Sequence, residues 1–454
     1  MEALTLAVAC VLSIMVFLVQ PVYGLILYVT SIAWYPSYLM VSVGTIDFTV
    51  RRIVVLALLV RLILQTKGPR RFQFVLLDKM VVAYFAAELL AGAFTANSMM
   101  ALFENRSGAM FDMLLPYFAV RLAIRSREQY LQLLKGIMLV AAPLAVLGFG
   151  ECLTGWNPLS FLRVYEVADV GTVYYTASER FGLIRATIGF SHSIMYGLFF
   201  AMLGPACAGL LRNTREKIVC WMGLALMGLG VFSSVSSGPV LAAAMALVFI
   251  AFFPWRRQWR AAVTVVVFMC ASVEIISNRH FYDVLGGFTF STQTAWYRSR
   301  LIDVALFEGG MSNHWLTGFG YNVDPGWGPR LDGRSKTDTV NHYILELHRF
   351  GLVGLVPFLA INLAAAKRLR KAYLASALTE DRWLVWCVSG GLFGLWSAMM
   401  TVSLFGPPTT VFFMLLAFAG LLPDVLGEPA KVRVNVAVVR GPNEAAAAQP
   451  SISY

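Results

Sequence analysis

A chain of 454 residues with 58% hydrophobic and 13% charged side chains and a mean hydropathy of +0.69 is too apolar for a soluble globular protein, where charge runs nearer a quarter of all residues. Its net charge of +11 falls in short clusters between apolar runs, which reads as membrane topology and contact with membrane lipid rather than as a nucleic-acid surface. Windows of roughly 20 apolar residues, enough to cross a hydrocarbon core of about 30 Å, recur along the chain without β-barrel alternation, so the expected class is an all-α polytopic integral membrane protein.

In chain order, residues 1–44 carry no charge beyond Glu2 and are broken by Pro21 and Pro36, so they fit one crossing or two, and Arg51 and Arg52 precede another short span. Glu2 stands where a cleaved signal needs positive charge. Ala7-Val8-Ala9-Cys10 faintly resembles a lipoprotein cleavage box, but the apolar run continues past it and a first span is expected instead. Further spans are predicted near 80–96, 109–121, 134–150, 184–211, 217–235, 237–253, 260–276, 343–365, 384–403 and 408–425. With those of the first 66 residues they make about twelve transmembrane helices. Of the 36 Lys and Arg residues, 22 lie in 67–79, 121–135, 212–217, 256–260, 367–382 and the C-terminal tail, which places these segments in the cytoplasm. The outside loops are then 97–108, 151–183 and one long periplasmic stretch, 278–341. A single membrane domain, 1–426, is followed by 427–454, whose composition predicts a disordered cytoplasmic tail. Only Cys152 of six cysteines falls in an outside loop, so no disulfide framework is expected. No nucleotide-binding glycine pattern or zinc spacing occurs, and neither cofactor nor metal is predicted.

Candidate chemistry gathers on the outside. All five histidines lie there, including His280, His314 and His348. At the end of the long loop Asn341 precedes His342, and if the following segment is helical, His342, Glu346 and Arg349 share one face at i, i+4 and i+7. That face puts an acid/base pair beside an anion binder at the mouth of a span; a solvated first turn is the alternative. Arg298 and Arg300, in Tyr297-Arg298-Ser299-Arg300, are suited to bidentate phosphate capture. On a helix they point apart, so one meets substrate while the other packs or pairs with Asp303 or Glu308. A third cluster, Arg180, Arg185 and His192, lies at the mouth of the 184–211 span, where a helix beginning early puts Arg185 and His192 on one face and where snorkelling to the headgroups is the bland option. Intramembrane charges such as Arg61, Glu88 and Glu274 are sparse, which weighs against an ion-coupled transporter.

Several segments, in order, resemble the bacterial O-antigen polymerase and ligase superfamily of membrane glycosyltransferases. They are Leu115-Pro116-Tyr117 with Arg121; Glu151-Cys152-Leu153-Thr154-Gly155-Trp156-Asn157-Pro158; Arg185 leading into Gly189-Phe190-Ser191-His192-Ser193-Ile194 and Gly197; Ser236-Ser237-Gly238-Pro239, where Ser237 replaces the family's arginine; Arg298 and Arg300 with Gly318 and Gly320; and Asn341-His342-Tyr343 with Gly351 and Gly354. Eleven residues before Gly351, where the ligases carry a histidine, stands Val340, so the resemblance is to the exopolysaccharide polymerase branch. It implies metal-independent, inverting transfer of saccharide from undecaprenyl diphosphate to a sugar hydroxyl of another lipid-linked repeat unit, at the periplasmic face of the inner membrane. It further implies His342 as base, Asp338 or Glu346 as its orienter or replacement, Arg298 or Arg300 with Arg185 on the diphosphate, and a chain-length co-polymerase as partner. A ligase acting on lipid A core or another acceptor, and a flippase or transporter, are the other readings. Convergence of Arg185 and His342 on one cavity separates transfer chemistry from the rest.

Overall fold

The computed structural model describes residues 2–65, 72–162, 178–277, 280, 282–283 and 292–426. The expected tail, 427–454, and parts of the loops 151–183 and 278–341 lie outside the described residues. Helices dominate, with two short antiparallel hairpins, Met40–Val43 with Ile46–Thr49 and Glu179–Arg180 with Leu183–Ile184. Five helices are long and apolar enough to cross a membrane: Arg127–Thr154, Ser193–Arg212, Phe253–Ile276, His342–Ala375 and Pro407–Leu426. Shorter apolar helices, Glu2–Leu18, Pro21–Trp34, Lys217–Ser233 and Ser237–Ala251, join them.

The Pro407–Leu426 helix is apolar on all sides and almost wholly buried, as a helix at the centre of a bundle must be. It packs on the helices Leu115–Ala123, Ser193–Ala208, His342–Ala375 and Thr379–Ala398. By contrast the Trp259–Ile276 helix buries no residue. Pro21 opens a helix at its first turn, where its missing N–H costs nothing.

Two expectations fail for stated reasons. The segment 97–108 is not a loop. Ser98 caps a helix by accepting from the Ala101 N–H at 3.1 Å, and this helix, Met99–Ala109, runs through a π-helical turn, Met110–Leu114, into Leu115–Ala123. Nor does a helix begin at 184. The buried Glu151 carboxylate accepts from the Thr187 and Ile188 N–H groups, both at 2.8 Å, and holds them in a turn with Ile188 at φ 47°, so the helix starts only at Ser193. Charge is also buried between the helices. Arg51, Arg61, Asp78, Glu88, Arg106, Arg121 and Glu151 are all buried. Asp78 accepts from Tyr117 at 2.5 Å and Arg121 at 2.9 Å, and Arg121 reaches on to Asp424 at 3.2 Å. Such networks lock helices together because each desolvated charge has its partner.

Residues 292–341, before His342, form a folded cap. The helix Thr292–Ile302 and a π-helical turn, Asp303–Phe307, bury Leu301, Val304, Met311 and Trp327 against Ile344 and Leu347.

Candidate functional site at a broken helix

The helix His342–Ala375 is broken at Gly351, whose φ 61°, ψ −157° lies in a region open essentially to glycine alone. The break orphans backbone groups on both sides, and the cap satisfies them. His348 and Arg349 carbonyls accept from the N–H groups of Phe319 (2.8 Å) and Gly320 (3.2 Å), while the Leu352 and Val353 N–H groups donate to the carbonyls of Trp315 (2.8 Å) and Leu316 (3.1 Å). A half-helix, 342–350, is thereby set at a fixed angle to the rest. Its N-terminus is tied down as well: Asn341 caps Tyr343 and Ile344 and donates to the Met400 carbonyl at 3.0 Å, and the His342 N–H donates to Met399 at 2.8 Å.

This half-helix presents His342, Glu346 and Arg349 to a cavity of about 370 Å³. The other walls supply residues the sequence reading did not assign to a site, among them Tyr84, Glu88, Arg106, Arg52 and Asp112. Tyr84 donates to Glu346 Oε2 at 3.1 Å, and Arg106 pairs with Glu88 at 2.8 Å. Asp112, from the π turn, pairs with Arg51 at 3.2 Å and Arg52 at 2.6 Å. Arg349 lies 4.3 Å from the Tyr321 ring centre, with its Nε buried and unpartnered.

The imidazole of His342 has a defined tautomer. Its Nδ1 accepts from the Leu404 N–H at 3.3 Å, so in the neutral ring Nε2 carries the proton. That Nε2 faces Glu346 Oε1 at 3.8 Å, beyond direct hydrogen-bond range. His342 Nε2 is thus turned toward Glu346 without bonding it, and Glu346 is one of five carboxylates that line the cavity.

The remaining sequence candidates lie elsewhere. The expected convergence of Arg185 and His342 on one cavity is not met, which counts against transfer chemistry: Arg185 does not line the cavity, its Nη2 donating to Ser236 Oγ at 2.7 Å and Nη1 to Ser178 at 3.3 Å. His192 is the cap of Ser193–Ala208, accepting from the Ile194 N–H, and shares no helical face with Arg185. Burial, and secondarily the Arg185 charge, pushes it down to about 4, so it is neutral at physiological pH. Its ring lies 6.1 Å from that of Phe405, a cavity residue, so the two groups meet across the 400–406 segment without sharing a pocket. Arg298 is buried, its Nε unpartnered, beside Arg180; desolvation, then Arg180, brings it down to about 10, still charged. Arg180 itself donates to the Val235 carbonyl at 3.4 Å. Asp338 belongs to this cation group, its N–H bonded to Tyr297 at 3.0 Å.

Arg300 points away, into an ion pair with Glu308 that Arg330 joins at 2.9 Å. His314 is exposed and stacks on Phe319 at 4.0 Å, a prop for the turn at Gly318. The bond from Arg300, joined by Arg330, holds Glu308 below the usual glutamate range. A depressed carboxylate contributes stability that is present above its unfolded value of about 4.3 and is lost as pH falls through the lower folded value. Amide protection around residues 308–312, relative to the unfolded-chain exchange rate at each pH, is therefore expected to fall below about pH 4.3, and Glu308→Gln to remove that loss; protection unchanged with pH in the wild type would show the pair to be idle.

Among the described residues, no group of three or more His, Cys, Asp or Glu is arranged to hold a metal ion. Compared with known proteins, the chain matches no family model and no curated protein sequence.

Proposed function

We propose that the chain is a multi-pass glycosyltransferase of the bacterial inner membrane that polymerises undecaprenyl-diphosphate-linked oligosaccharide units at the periplasmic face, with about twelve spans and the broken helix outward. The observation that carries this reading is the cavity in which a half-helix fixed by Gly351 aims Glu346 between Tyr84 and His342. Its walls hold five carboxylates, Asp47, Glu88, Glu104, Asp112 and Glu346, against three arginines. Hydroxyl-rich saccharide suits such acceptors and diphosphate does not, so the acceptor sugar belongs here. The anionic donor belongs with Arg180, Arg185 and Arg298, across the 400–406 segment.

In the reaction Glu346 takes the proton of the acceptor hydroxyl as its oxygen attacks the anomeric carbon. The carbon–oxygen bond to diphosphate breaks and the electron pair leaves with the diphosphate, whose growing charge the arginines offset. One displacement inverts the anomeric centre. His342 positions Glu346 as a neutral donor, and a chain-length co-polymerase is the expected partner.

The test is the purified protein in lipid with an undecaprenyl-diphosphate repeat unit. Ladders of longer lipid-linked glycan support polymerisation; glycan moved only to an added acceptor lipid supports a ligase; no transfer to any acceptor overturns the reading. Buried pairs such as Glu88–Arg106 would then turn attention to transport.

A further inference from the structure

Two basic segments far apart in sequence, 212–217 and 256–260, meet at one aromatic ring. Phe253 is buried at the start of the turn Phe253–Gln258 and packs edge-on against Trp383 at 5.1 Å. The indole N–H of Trp383 donates to the Ala208 carbonyl at 3.0 Å and that of Trp386 to the Phe249 carbonyl at 2.8 Å, so the platform is tied to three helices. Over it lie two guanidinium groups. Arg212 is 5.0 Å from the Phe253 ring centre and 4.5 Å from that of Trp383, and Arg256 is 4.2 Å from Phe253.

Two cations held over one ring repel each other, and among the described residues neither forms an ion pair. Asp381, two residues before Trp383, is taken by Arg127 at 2.7 Å. Arg256 gives its Nε–H to Tyr373 Oη and one Nη1 hydrogen to the Phe253 carbonyl, both at 2.8 Å, which leaves three of its five N–H donors. Arg212 is exposed, makes no hydrogen bond among the described residues and keeps all five. Stacking on a ring occupies the guanidinium face and leaves the in-plane donors unused. Trp255 and Trp259, 57% and 50% exposed, flank Arg256, and exposed tryptophans beside apolar helices mark the headgroup level of a bilayer. From that level the helix Trp259–Ile276, which buries no residue, offers acyl chains a wall.

We propose that the corner formed by Arg212, Arg256, Phe253 and Trp383 binds the head group of one anionic phospholipid, its phosphodiester bridging the two guanidinium groups and its acyl chains lying along Trp259–Ile276. A phosphodiester has two unesterified oxygens, one for each guanidinium. The lipid is anionic because the ammonium of a zwitterionic head group would bring a third cation to two arginines that pair with no carboxylate. It is a lipid phosphate rather than a free one because the cations sit between exposed tryptophans at the ends of apolar helices. As counter-ion of the corner, the lipid joins the end of Ser193–Arg212 and the start of Thr379–Ala398 to the turn Phe253–Gln258. The site lies apart from the cavity and does not depend on the transfer reading.

The experiment takes the full chain, delipidated in a neutral detergent, and titrates it with phosphatidylglycerol, phosphatidylcholine or inorganic phosphate, reading bound lipid by native mass spectrometry and Tm alongside. One phosphatidylglycerol is expected to bind with about tenfold preference over phosphatidylcholine and to raise Tm, while phosphate at the same concentration does neither. Arg212→Gln and Arg256→Gln are each expected to weaken binding about tenfold. The Arg212 variant removes no hydrogen bond, so its fold is kept even if loss of the Arg256 bonds to Tyr373 and Phe253 loosens the turn. Arg257→Gln removes the same charge from the same turn, but that side chain is exposed and lies over no ring among the described residues; its effect should stay below about twofold. Equal binding of the two lipids, an equal rise in Tm with phosphate, unchanged binding in Arg212→Gln, or Arg257→Gln as costly as Arg212→Gln would overturn the site. Glycan transfer, present or absent, moves none of these readouts.

Discussion

Replacing Glu346 with glutamine is expected to lower the rate of transfer by a factor of about 10² to 10⁴, the usual contribution of a positioned general base, with little change in KM. Glutamine keeps the volume and can still accept from Tyr84 Oη, now 3.1 Å from Oε2, so the half-helix has no reason to move. What disappears is the site that takes the acceptor proton. His342 supplies the contrast. Since its Nδ1 is occupied by the Leu404 N–H, its part is to present an N–H toward Glu346, which a glutamine side chain can imitate. His342→Gln is therefore expected to retain activity within about tenfold and His342→Ala to lose more, with the acidic limb of the pH–rate profile unchanged in position for His342→Gln. The two assignments separate cleanly in single-turnover measurements at saturating lipid-linked donor. A Glu346→Gln enzyme as active as wild type, beside an inactive His342→Gln enzyme, would return the role of base to the imidazole.

The face shared by His342, Glu346 and Arg349 was legible because helical spacing alone places them together, and the structure keeps that spacing within the half-helix. The opposite wall was half legible. Glu88 stands out as a carboxylate in an apolar run, yet its partner Arg106 was hidden by the assignment of 97–108 to a loop. Ser98, an N-cap type ahead of Met99-Met100-Ala101-Leu102-Phe103, was the available signal for a helix start there. Arg185 and His192 misled for a different reason. Their spacing fits a helix, but Glu151, more than thirty residues upstream, competes for the backbone N–H groups and wins by making several hydrogen bonds at once. No local pattern encodes a bond donated to a distant carboxylate. The pairing of Arg300 with Glu308 was within reach, since helical geometry turns neighbouring arginines apart and left Glu308 as a nearby partner.

Gly351→Ala is expected to be strongly disruptive, destabilising the protein by about 2 to 6 kcal/mol through backbone strain and overpacking together. A Cβ at this position would lie 2.3 Å from both the carbonyl carbon and oxygen of Leu316 and 2.6 Å from the Thr317 nitrogen. Those are backbone atoms, held in place by the same four hydrogen bonds that satisfy the two ends of the break, so neither side can yield by rotating a side chain. The alanine backbone must also leave φ 61°, ψ −157°, and an allowed state such as the continuous helix changes the angle between the two halves. Straightening would swing residues 342–350 away from Tyr84 and strip His348 and Arg349 carbonyls of their cap donors. Activity should therefore fall with stability, and amide exchange at Phe319, Gly320, Leu352 and Val353 should rise together, since the four bonds form one unit. Gly150→Ala is the control: it sits within the helix Arg127–Thr154 with nothing within 4 Å of the added methyl, and the change should be neutral or stabilising by up to about 1 kcal/mol. If Gly351→Ala unfolds at the wild-type temperature with those four amides still protected, the break is an incidental kink, and the aim of Glu346 into the cavity must come from the Asn341 and His342 anchors alone.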